Sequence, residues 1–584
     1  MKKKILFLIP LLLSCSELTT SSSEFLSSSS NNTSFTTETS SSESFKESSS
    51  SESGTSNPFE GFYELEKDIY VNYLPNIYQN SLDLQFKVNN PNYEIYYSFD
   101  GSKPNYKYQY PIIIDSKKIT SLTQIPFTTS VDGILKDDHE GKCVSENYNN
   151  NIQRNKNYYL KMDKQPVLTI RVYDTKTKQD VLSRSLTYII DKDNYFSIPV
   201  VSLSLPYEEM FGNNGFYNKI REEIEKRVNL EYIDPVYEEY FYRNSQVKLG
   251  GNWSLGYPQR TLNLNFNKNE FGKKNQKVDA HIFKDRTKKD GSLLTGFTRF
   301  RLHNGGNCFE SFTGFNDALL QEVMVNSNAS TTGYRPCLVY INGEYFGLYS
   351  IREHYKDTYF EMNYNVKKDD VIMYKYKGDF LLDEGNDESF LQEMMHFLNQ
   401  DLANNNIYNE FCEKYIDIDS FMDVVLANAY ASNWDFVGNN NNLIMWRTSV
   451  VKDKKYYDGK FRFALHDADF AFSEDTNFLS RKQLHSYSNF KLLKCLMINY
   501  EFKQTFYKRA KYLLNNNLNI DNIYQKLLEM VEEVLPYKYD QCLRWGQQSD
   551  CLDNWEKQIE NTKKIISLRN DKFLNEVKNY LNEF

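Results

Sequence analysis

The sequence predicts an α+β protein in which a small all-β region precedes a larger region built first from strands and then from helices. Short segments between Pro58 and about residue 193 alternate polar and apolar residues, and this period of two is typical of strands. From Phe196 onward, apolar strands and a hairpin signal come first, and after Asp419 apolar residues recur at helical spacing. A chain of 584 residues is too long for one domain, so we expect roughly two or three.

The composition excludes some classes of protein. Hydrophobic residues make up 40% of the chain and aromatic residues 15%, which is enough for packed cores. The net charge of -9 argues against a nucleic-acid-binding surface, which requires a clustered basic face. The cysteines include no C-x-x-C pair, so a structural zinc site is not expected. Cys542 and Cys551 are close enough in sequence to close a disulfide loop.

Residues 1–15, MKKKILFLIPLLLSC, predict a lipoprotein signal peptide. Three lysines precede an apolar run that is too short to span a bilayer. The run ends in Leu-Leu-Ser-Cys, which resembles a bacterial lipobox in which Cys15 is lipidated; the alternatives are a plain secretory signal peptide and a chance apolar start. Residues 16–57 are mostly Ser, Thr, Asn and Glu and predict a disordered tether. We therefore expect an extracytoplasmic protein held on the outer face of the cell membrane by its lipid alone.

Residues 58–195 are expected to form an antiparallel β-sandwich. The strand-like runs are LDLQFKV, YEIYYSF, PVLTIRVYD and RSLTYII, with turn residues between them. The stretch IYYSFDGSKPNYKYQYPIII, residues 95–114, resembles the small Ig-like module at the C-termini of chitobiases and hexosaminidases. That resemblance implies an Ig-like sandwich without catalytic chemistry.

Residues 196–584 are expected to form a second domain. IPVVSLSL reads as a buried strand because its β-branched run is continuous. GGNWSLG, residues 250–256, is a glycine-rich loop that leads into the alternating strand TLNLNF. FTGFNDALLQEVM has the spacing of an amphipathic helix, and Asn342-Gly343 marks a hairpin. Strands followed by helices, with polar motifs at the junction, is also the order found in two-lobed kinase-like enzymes.

Two aspartates stand near the end of FRFALHDADFAF, residues 461–472, a run that predicts a buried strand. Because strand residues two apart share a face, Asp467 and Asp469 are expected to point the same way. Two buried carboxylates would repel each other, and a divalent cation such as Mg²⁺ or Mn²⁺ removes that repulsion. The alternative is an aspartate that caps a turn at the end of the strand.

A second acidic motif lies upstream, in NWDFVGNNNNLIMW, residues 433–446. Asp435 and Asn440 reproduce the Asp-x4-Asn spacing of the protein-kinase catalytic loop. In that loop the aspartate accepts the proton of the substrate hydroxyl and the asparagine holds a metal ion. The alternative is an asparagine-rich polar loop without chemistry, and the sequence contains no kinase-type G-x-G-x-x-G loop.

Taken together, the segments from Phe196 to the end of the chain resemble the CotH family of spore-coat-type atypical kinases. The segments that carry the resemblance are IPVVSLSL, GGNWSLGYPQRTLNLNF, LHNGGN, FNDALLQEV, VYINGEYFGLYSIRE, NWD with the asparagine run, and HDADFAF. They are spread over about two thirds of the chain. The resemblance implies a two-lobed kinase-like fold that binds ATP and magnesium and phosphorylates Ser or Thr of proteins.

The resemblance also implies a catalytic residue and a metal site. Asp435 would be the catalytic aspartate, and Asp467 and Asp469 would hold Mg²⁺ or Mn²⁺. Asn440 or Asn442 would assist at the metal, since the asparagine run leaves the alignment open.

Arg260 and Glu353 would bind the nucleotide by the same resemblance, although the sequence departs from the family pattern in this part. Arg260 stands where the family shows lysine, and a planar guanidinium carries charge without replacing an ammonium group. His303 stands where arginine is usual, Cys308 where aspartate is usual, and Asn316 where arginine is usual. These changes reduce the number of charged side chains expected around the nucleotide.

Two functions from different classes fit these observations. The first is an ATP- and Mg²⁺-dependent phosphotransferase that acts on Ser or Thr of a surface or secreted protein. The second is a catalytically degenerate, surface-anchored binding or adhesion lipoprotein with a surface ligand as its partner. We favour the first because an adhesive protein has no need of three carboxylates in one cleft. A hydrolase is not expected, since the sequence shows neither a G-x-S-x-G elbow nor metalloprotease His spacing.

Overall fold

The structure of the protein, a computed structural model, describes residues 59–99, 101–115, 165–191, 193–220, 222–272, 277–283, 286–308, 313–436, 441–477, 479, 491–545 and 550–584. Cys15, the tether 16–57, Asp100 and Asn440 lie outside the described residues.

Strands dominate the first half of the described chain and helices the second, so the predicted α+β class is confirmed. The strands are β1 (Tyr63–Glu66), β2 (Ile69–Val71), β3 (Asn76–Tyr78), β4 (Leu82–Leu84), β5 (Phe86–Val88), β6 (Tyr93–Ser98), β7 (Tyr106–Lys107), β8 (Ile112–Ile114), β9 (Val167–Asp174), β10 (Gln179–Ile190), β11 (Val200–Ser204), β12 (Lys226–Asp234), β13 (Glu239–Gly250), β14 (Thr261–Asn265), β15 (Arg299–His303), β16 (Tyr334–Ile341), β17 (Glu344–Arg352), β18 (Val371–Tyr376), β19 (Phe380–Glu384), β20 (Leu443–Thr448) and β21 (Arg462–Leu465). The helices are α1 (Tyr207–Met210), α2 (Asn316–Val323), α3 (Asp357–Tyr364), α4 (Ser389–Phe397), α5 (Asn405–Lys414), α6 (Ile418–Tyr430), α7 (Lys491–Met497), α8 (Tyr500–Asn515), α9 (Ile520–Trp545) and α10 (Cys551–Leu581). None of these helices combines the length and the apolar character needed to cross a membrane.

The first part of the described chain is all β, as predicted. β1, β2 and β5 form one sheet, β3, β10, β9, β6 and β7 form a second, and β4 pairs with β8. The described pairings are antiparallel except that of β10 with β3. Side chains such as Ile170, Val172 and Leu186 fill the core of this region. Its resemblance to an Ig-like module stays a prediction.

The run LDLQFKV does not form the single strand that the sequence predicts. β4 ends at Leu84 and β5 begins at Phe86, and the two strands belong to different sheets. Both main-chain groups of Gln85 form hydrogen bonds with Asn72. The main-chain N of Asn72 donates to the Gln85 oxygen at 3.1 Å, and Asn72 Oδ1 accepts from the Gln85 N at 2.7 Å. Gln85 therefore interrupts the run between the two sheets.

The next seven strands of the described chain close into a barrel in the order β11-β12-β13-β14-β15-β17-β16. β11 and β16 complete the barrel as a parallel pair, with Val200 opposite Leu338, and the other neighbours are antiparallel. Side chains from alternate positions, such as Leu230, Leu262 and Ile351, form the barrel core. Closure removes the unpaired strand edges that an open sheet would expose.

The turn predicted at Asn342-Gly343 is confirmed between β16 and β17. Asn342 has φ of 49° and Gly343 has φ of 80°, and two positive φ angles are the requirement of the favoured two-residue hairpin turn. A Cβ on Gly343 would lie 2.2 Å from the main-chain oxygen of Gln165, so this position requires glycine on steric grounds as well.

A buried carboxylate links the N-terminal β region to the barrel. Glu231 on β12 accepts hydrogen bonds from Thr187 on β10, from Oγ1 at 2.6 Å and from the main-chain N at 3.1 Å. Burial raises the pKa of Glu231, although the Thr187 hydroxyl and the charge of Arg184 oppose that rise. The carboxylate is therefore satisfied mainly by a residue of the preceding region.

The part of the chain outside the N-terminal β region and the barrel combines the sheet β19-β18-β20-β21 with α2 and with α4 to α10 around an extensive apolar core. Leu426 from α6, Phe463 from β21, Leu527 from α9 and Phe573 from α10 all contribute to it. The helical spacing predicted after Asp419 is confirmed here, for example by α9, which runs from Ile520 to Trp545.

The strand predicted over FRFALHDADFAF is shorter than expected. β21 covers only Arg462–Leu465, and Asp467 has φ of 53°. Asp467 and Asp469 therefore lie in the turn after the strand, so the prediction that strand alternation aligns them is wrong. Aspartate adopts positive φ more readily than most residues, which allows the chain to turn directly after β21.

Helix α9 connects the helical core to the barrel. Its middle contributes Leu527 and Val531 to the helical core, whereas Trp545 at its end lies in the barrel core. Trp545 Nε1 donates a hydrogen bond to the main-chain oxygen of Phe346. A disulfide joins Cys542 near the end of α9 to Cys551 at the start of α10, as the sequence allowed.

The buried ion pair of Arg509 and Asp423 is predicted to hold α6, the helix that leads to Asp435. The two Arg509 nitrogens lie 2.6 and 2.7 Å from the Asp423 oxygens, and the Asp423 side chain is fully buried. Arg509→Met removes the only cation paired with Asp423 among the described residues and leaves it with the hydrogen bonds from Asn328, so we expect stability to fall by about 3 kcal/mol in chemical denaturation. Lys526→Met breaks an exposed pair with Glu529 and serves as the control. Equal losses in the two variants would contradict the prediction.

Candidate active site

A cavity of about 520 Å³ is lined jointly by the barrel, by α2 and by the sheet of β18 to β21. Arg301 lines it from β15, Arg352 from β17, Lys375 from β18 and Ile444 from β20. The elements that meet here are far apart in sequence, so the cavity exists only in the folded chain.

Four aspartates line this cavity. Asp317 comes from α2, Asp435 from the segment after α6, and Asp467 and Asp469 from the turn after β21. Asp469 is buried, whereas Asp467 is exposed to the solvent of the cavity. The three carboxylates that the sequence singled out are thus brought together, and Asp317 is added to them.

Asp467 and Asp469 share a hydrogen bond between their carboxyl groups. Enclosure in the cavity raises the pKa of Asp467 to about 6, and the charges of Asp317 and Asp435 contribute to the rise. Burial and the charge of Asp467 raise the pKa of Asp469 well above its ordinary value. Asp469 therefore keeps a proton at pH values where an ordinary aspartate is ionised.

Asn442 orients Asp435. Its Nδ2 donates to Asp435 Oδ2 at 2.8 Å and to the main-chain oxygen of Asp467 at 3.3 Å. Asn442 is buried, whereas Asp435 is half-buried. Through these contacts Asn442 acts as a donor to the acidic cluster, and its expected role as a metal ligand stays a prediction, as does that of Asn440.

Asp317 remains charged although it is buried. Arg352 Nη2 lies 2.8 Å from Asp317 Oδ2, and Gln321 Nε2 donates to both carboxylate oxygens at 2.9 and 3.0 Å. The main-chain N of Ala468 donates to Oδ1 at 2.9 Å. Burial opposes ionisation, yet Arg352, Ala468 and Gln321 together hold the pKa of Asp317 below its ordinary value. This network ties α2 to the turn after β21.

Positive charge reaches the cavity through Arg301 and Lys375 as well as Arg352. Arg301 Nη2 lies 2.9 Å from His354 Nε2, and Lys375 Nζ lies 3.1 Å from Asp383 Oδ2. Burial lowers the pKa of both Arg301 and Lys375. A desolvated cation favours an anionic partner, so these side chains compensate negative charge at the cavity.

The three histidines of the cavity contribute no positive charge near neutral pH. Burial lowers the pKa of His303 and of His466 to about 3, and the neighbouring cations act in the same direction. Burial also lowers the pKa of His354 well below its ordinary value, with the charge of Arg301 adding to the effect. The imidazoles therefore act as neutral hydrogen-bonding groups.

A tight loop after β15 contacts Asp469. The main-chain N of Asn307 donates to Asp469 Oδ2 at 2.7 Å. Gly306 has φ of 57°, and a Cβ built on it would lie 2.1 Å from the same oxygen. Asn307 Oδ1 is buried and has no hydrogen-bond partner among the described residues.

The oxygens around Asp469 fit a hard divalent cation. No three His, Cys, Asp or Glu side chains of the described ranges are arranged to hold a metal ion as a set. However, the carboxyl groups of Asp467 and Asp469 are in hydrogen-bond contact, and Asn307 Oδ1 has no partner within the described part of the chain. Mg²⁺ is usually held by one or two carboxylates together with phosphate oxygens and water, so two carboxylates are a sufficient protein contribution.

The structure does not bring Arg260 to the cavity. The side chain is fully buried, and Nε donates to the main-chain oxygen of Leu255 at 2.8 Å while Nη1 donates to that of Tyr217 at 2.7 Å. Contrary to the expected phosphate contact, the guanidinium holds the glycine-rich loop 250–256 against the barrel. Gly251 and Ser254 of that loop do line the cavity.

Glu353 lines the cavity, but both of its oxygens have protein partners. Oε2 accepts from the main-chain N of Gly333 at 2.9 Å and Oε1 accepts from Asn363 Nδ2 at 2.7 Å. Burial raises the pKa of Glu353, and the charge of Arg286 opposes the rise. Glu353 therefore stabilises the cavity wall, and its proximity to a nucleotide stays a prediction.

Sequence reasoning missed Asp317, Arg301, Arg352 and Lys375 as site residues. Arg301 and Arg352 are direct neighbours in the register of β15 and β17. The alternation in RFRLH places Arg301 on the same face as His303, which is the signal that could have identified it. Lys375 stands in a strand without a motif, and no local signal marks it.

Gly306→Ala is predicted to displace Asp469. The new methyl group would collide with the Asp469 carboxylate. The alanine would also have to keep the positive φ of Gly306. Strain at positive φ costs about 1 kcal/mol, and the collision adds about 1–3 kcal/mol. The control is Gly291→Ala, because Gly291 also has positive φ, at 86°, but nothing lies within 4 Å of its added Cβ. Denaturation of both variants checks the difference, and equal losses would show that the collision is relieved.

Comparison with known proteins identifies the family. The family model described as CotH kinase protein matches residues 247–573, which is more than half of the chain. No curated protein matches the sequence. The matched range contains Asp317, Asp435, Asp467 and Asp469, and the family description indicates a kinase-like function. The chain belongs to the CotH kinase protein family.

Proposed function

We propose that this protein transfers a phosphoryl group from ATP, with Mg²⁺ or Mn²⁺, to a Ser or Thr hydroxyl of a surface or secreted protein. The observation that carries the proposal is that five carboxylates, four of them aspartates, and four basic side chains, two arginines and two lysines, line one cavity. Phosphoryl transfer depends mainly on positioning and on compensation of charge, and these two kinds of group supply both. Membership of the CotH kinase protein family supports the same reaction class.

Asp467 and Asp469 are the residues that would hold the cation. Their carboxyl groups are in hydrogen-bond contact and repel each other when both are ionised, so a cation would relieve that repulsion. A bound divalent cation supplies neutralisation of the charge on the phosphate oxygens. Asn307 Oδ1 is an additional oxygen beside Asp469 without a protein partner among the described residues.

Asp435 is the residue proposed to accept the proton of the acceptor hydroxyl. It lies half-buried at the cavity, and Asn442 fixes its carboxylate through a 2.8 Å hydrogen bond. A hydroxyl placed against Asp435 would be oriented for transfer, which is the role of an aspartate in kinase catalytic loops.

Arg301 and Lys375 are proposed to bind the phosphates in place of Arg260. Arg301 and Lys375 are desolvated cations at the cavity. Arg352 is already paired with Asp317 at 2.8 Å, so its main contribution is to keep that carboxylate ionised and in place. The two-lobed kinase-like arrangement that we propose would have the barrel on one side of this cavity and the helical part on the other.

The proposed location is the outer face of the cell membrane, through a lipid on Cys15. The signal-like segment 1–15 and the polar segment 16–57 support this proposal. The donor ATP would then be met outside the cell or used before export. The Ig-like assignment of residues 58–195 belongs to the same proposal, as a module that places the kinase-like domain near its partner.

Nucleotide binding is predicted to depend on both metal-side aspartates. ATP with Mg²⁺ or Mn²⁺ should raise the melting temperature of the chain from Ser16 onward, and Asp467→Ala or Asp469→Ala should abolish the rise because the cation is lost. Asp453→Ala removes an exposed aspartate and should leave the rise intact. Absence of any rise with every nucleotide–metal pair would favour the surface-binding alternative.

Asp435→Asn is predicted to separate binding from transfer. The substitution keeps the size of the side chain and removes its basicity, so the thermal shift with ATP and Mg²⁺ should persist. Phosphoryl transfer to a Ser/Thr-containing protein acceptor, measured with labelled ATP, should fall by at least about 100-fold. Transfer at the original rate would remove Asp435 from the proposed mechanism.

A further inference from the structure

The end of helix α9 is connected to Asp469 by successive hydrogen bonds through the barrel wall. The first contact is made by Gln541, which is buried. Its Nε2 donates to Gln259 Oε1 at 2.6 Å, and its Oε1 accepts from the main-chain N of Leu348 at 2.8 Å. Gln259 Nε2 in turn donates to the main-chain oxygen of Leu348 at 3.1 Å. Both amide side chains are thus fixed against β17.

The backbone at this contact admits no side chain. Gly347 has φ of 143°, and a Cβ built on it would lie 2.6 Å from Gln259 Nε2, 2.7 Å from Trp545 Nε1 and 3.0 Å from Gln541 Oε1. Close approach of α9 to the barrel therefore depends on this glycine.

Asn304 makes the next contact, from the barrel wall to the loop. Its Nδ2 donates to the main-chain oxygen of Gln259 at 2.6 Å. Its Oδ1 accepts from Thr261 Oγ1 at 2.9 Å and from the main-chain N of Gly306 at 3.1 Å. Asn304 is buried, and its amide group joins β14 and the residue Gln259 before it to the loop that contacts Asp469.

The loop completes the connection. Asn307 follows Gly306 and donates its main-chain N to Asp469 Oδ2 at 2.7 Å. At the other end, Gln541 is adjacent to Cys542, whose disulfide to Cys551 joins α9 to α10. The covalent bond and the hydrogen bonds therefore form one continuous series, from the junction of two helices to a carboxylate of the cavity.

We propose that Asn304 and Gln541 are positioning residues for Asp469, and that the end of α9 sets the geometry of the cation site. The inference rests on the proposed cation-binding role of Asp469. Neither residue contacts the cavity cation or substrate in this scheme; both act through the loop. Residues that orient a metal ligand typically change metal affinity by 10–100-fold when they are lost.

The test uses the full chain and two measurements. The first is hydrogen exchange of the peptide that covers residues 304–307, which reports whether the loop is held. The second is the dissociation constant for Mn²⁺ alone, measured by electron paramagnetic resonance of the free ion. The variants are Asn304→Ala and Gln541→Met, and the control is Gln525→Met, the same substitution earlier on α9 at an exposed hydrogen bond to Glu529.

Asn304→Ala and Gln541→Met should each speed exchange in residues 304–307 and weaken Mn²⁺ binding roughly tenfold, whereas Gln525→Met should change neither. The double variant Asn304→Ala with Gln541→Met should bind Mn²⁺ no more weakly than Asn304→Ala alone, because Gln541 acts through Asn304. Additive losses would overturn the connection.

A second, milder variant tests the inference in case Gln541→Met does not fold. Cys542→Ser with Cys551→Ser leaves every polar contact in place and removes only the covalent restraint, and it should speed exchange in 304–307 without exposing the barrel core. Unchanged exchange in this variant and in Gln541→Met would overturn the inference. Wild-type protein that binds no Mn²⁺ would overturn the cation role itself, whereas Mn²⁺ affinity equal in wild type and variants would overturn only the positioning by α9.

Discussion

Repulsion among carboxylates in one cavity is the constraint on which the rest of the site depends. Asp317, Asp435, Asp467 and Asp469 line a common space, and each must be compensated for the chain to fold around it. Asp317 is compensated by Arg352, and Asp435 is held by a neutral amide. The carboxyl groups of the remaining pair contact each other, and the pKa of each is raised above its ordinary value. A cation at this pair, as proposed, would relieve the remaining repulsion.

The basic and the acidic residues of the cavity come from different kinds of structural element. A closed barrel holds the basic residues of β15 and β17 in fixed register, with Arg301 opposite Arg352. The acidic residues come instead from a helix start and two turns, where side chains converge more easily than on neighbouring strands. Helix α9 is shared by the helical core and the barrel, so movement of one against the other has to involve it. The cavity is therefore a product of long-range packing.

Local signals in the sequence predicted the features that depend on few neighbours. The Asn342-Gly343 turn follows from the φ angles that only certain residues adopt, and Asp467 with Asp469 followed from the cost of adjacent carboxylates. The turn after β21 was not predicted, because a run of alternating apolar residues carries no information on where pairing with β20 ends. Arg260 was expected at the cavity, but its guanidinium is bound to the main chain of Tyr217 and Leu255, contacts that no motif in the sequence marks. Arg301 was missed although the alternation in RFRLH could have indicated it.

The contact between Thr187 and Glu231 bears on where the working unit of this protein begins. The family match starts at residue 247, and the sequence suggests a boundary near 196, yet the barrel strand β12 depends on a hydroxyl and an amide supplied from β10. A fragment that begins near 196 would leave Glu231 inside the barrel wall without its two closest donors, and one that begins at 247 would lack the barrel strands β11 and β12 altogether. Such a fragment would be marginal for reasons unrelated to chemistry. Expression of the kinase-like part should therefore retain the strands that precede it.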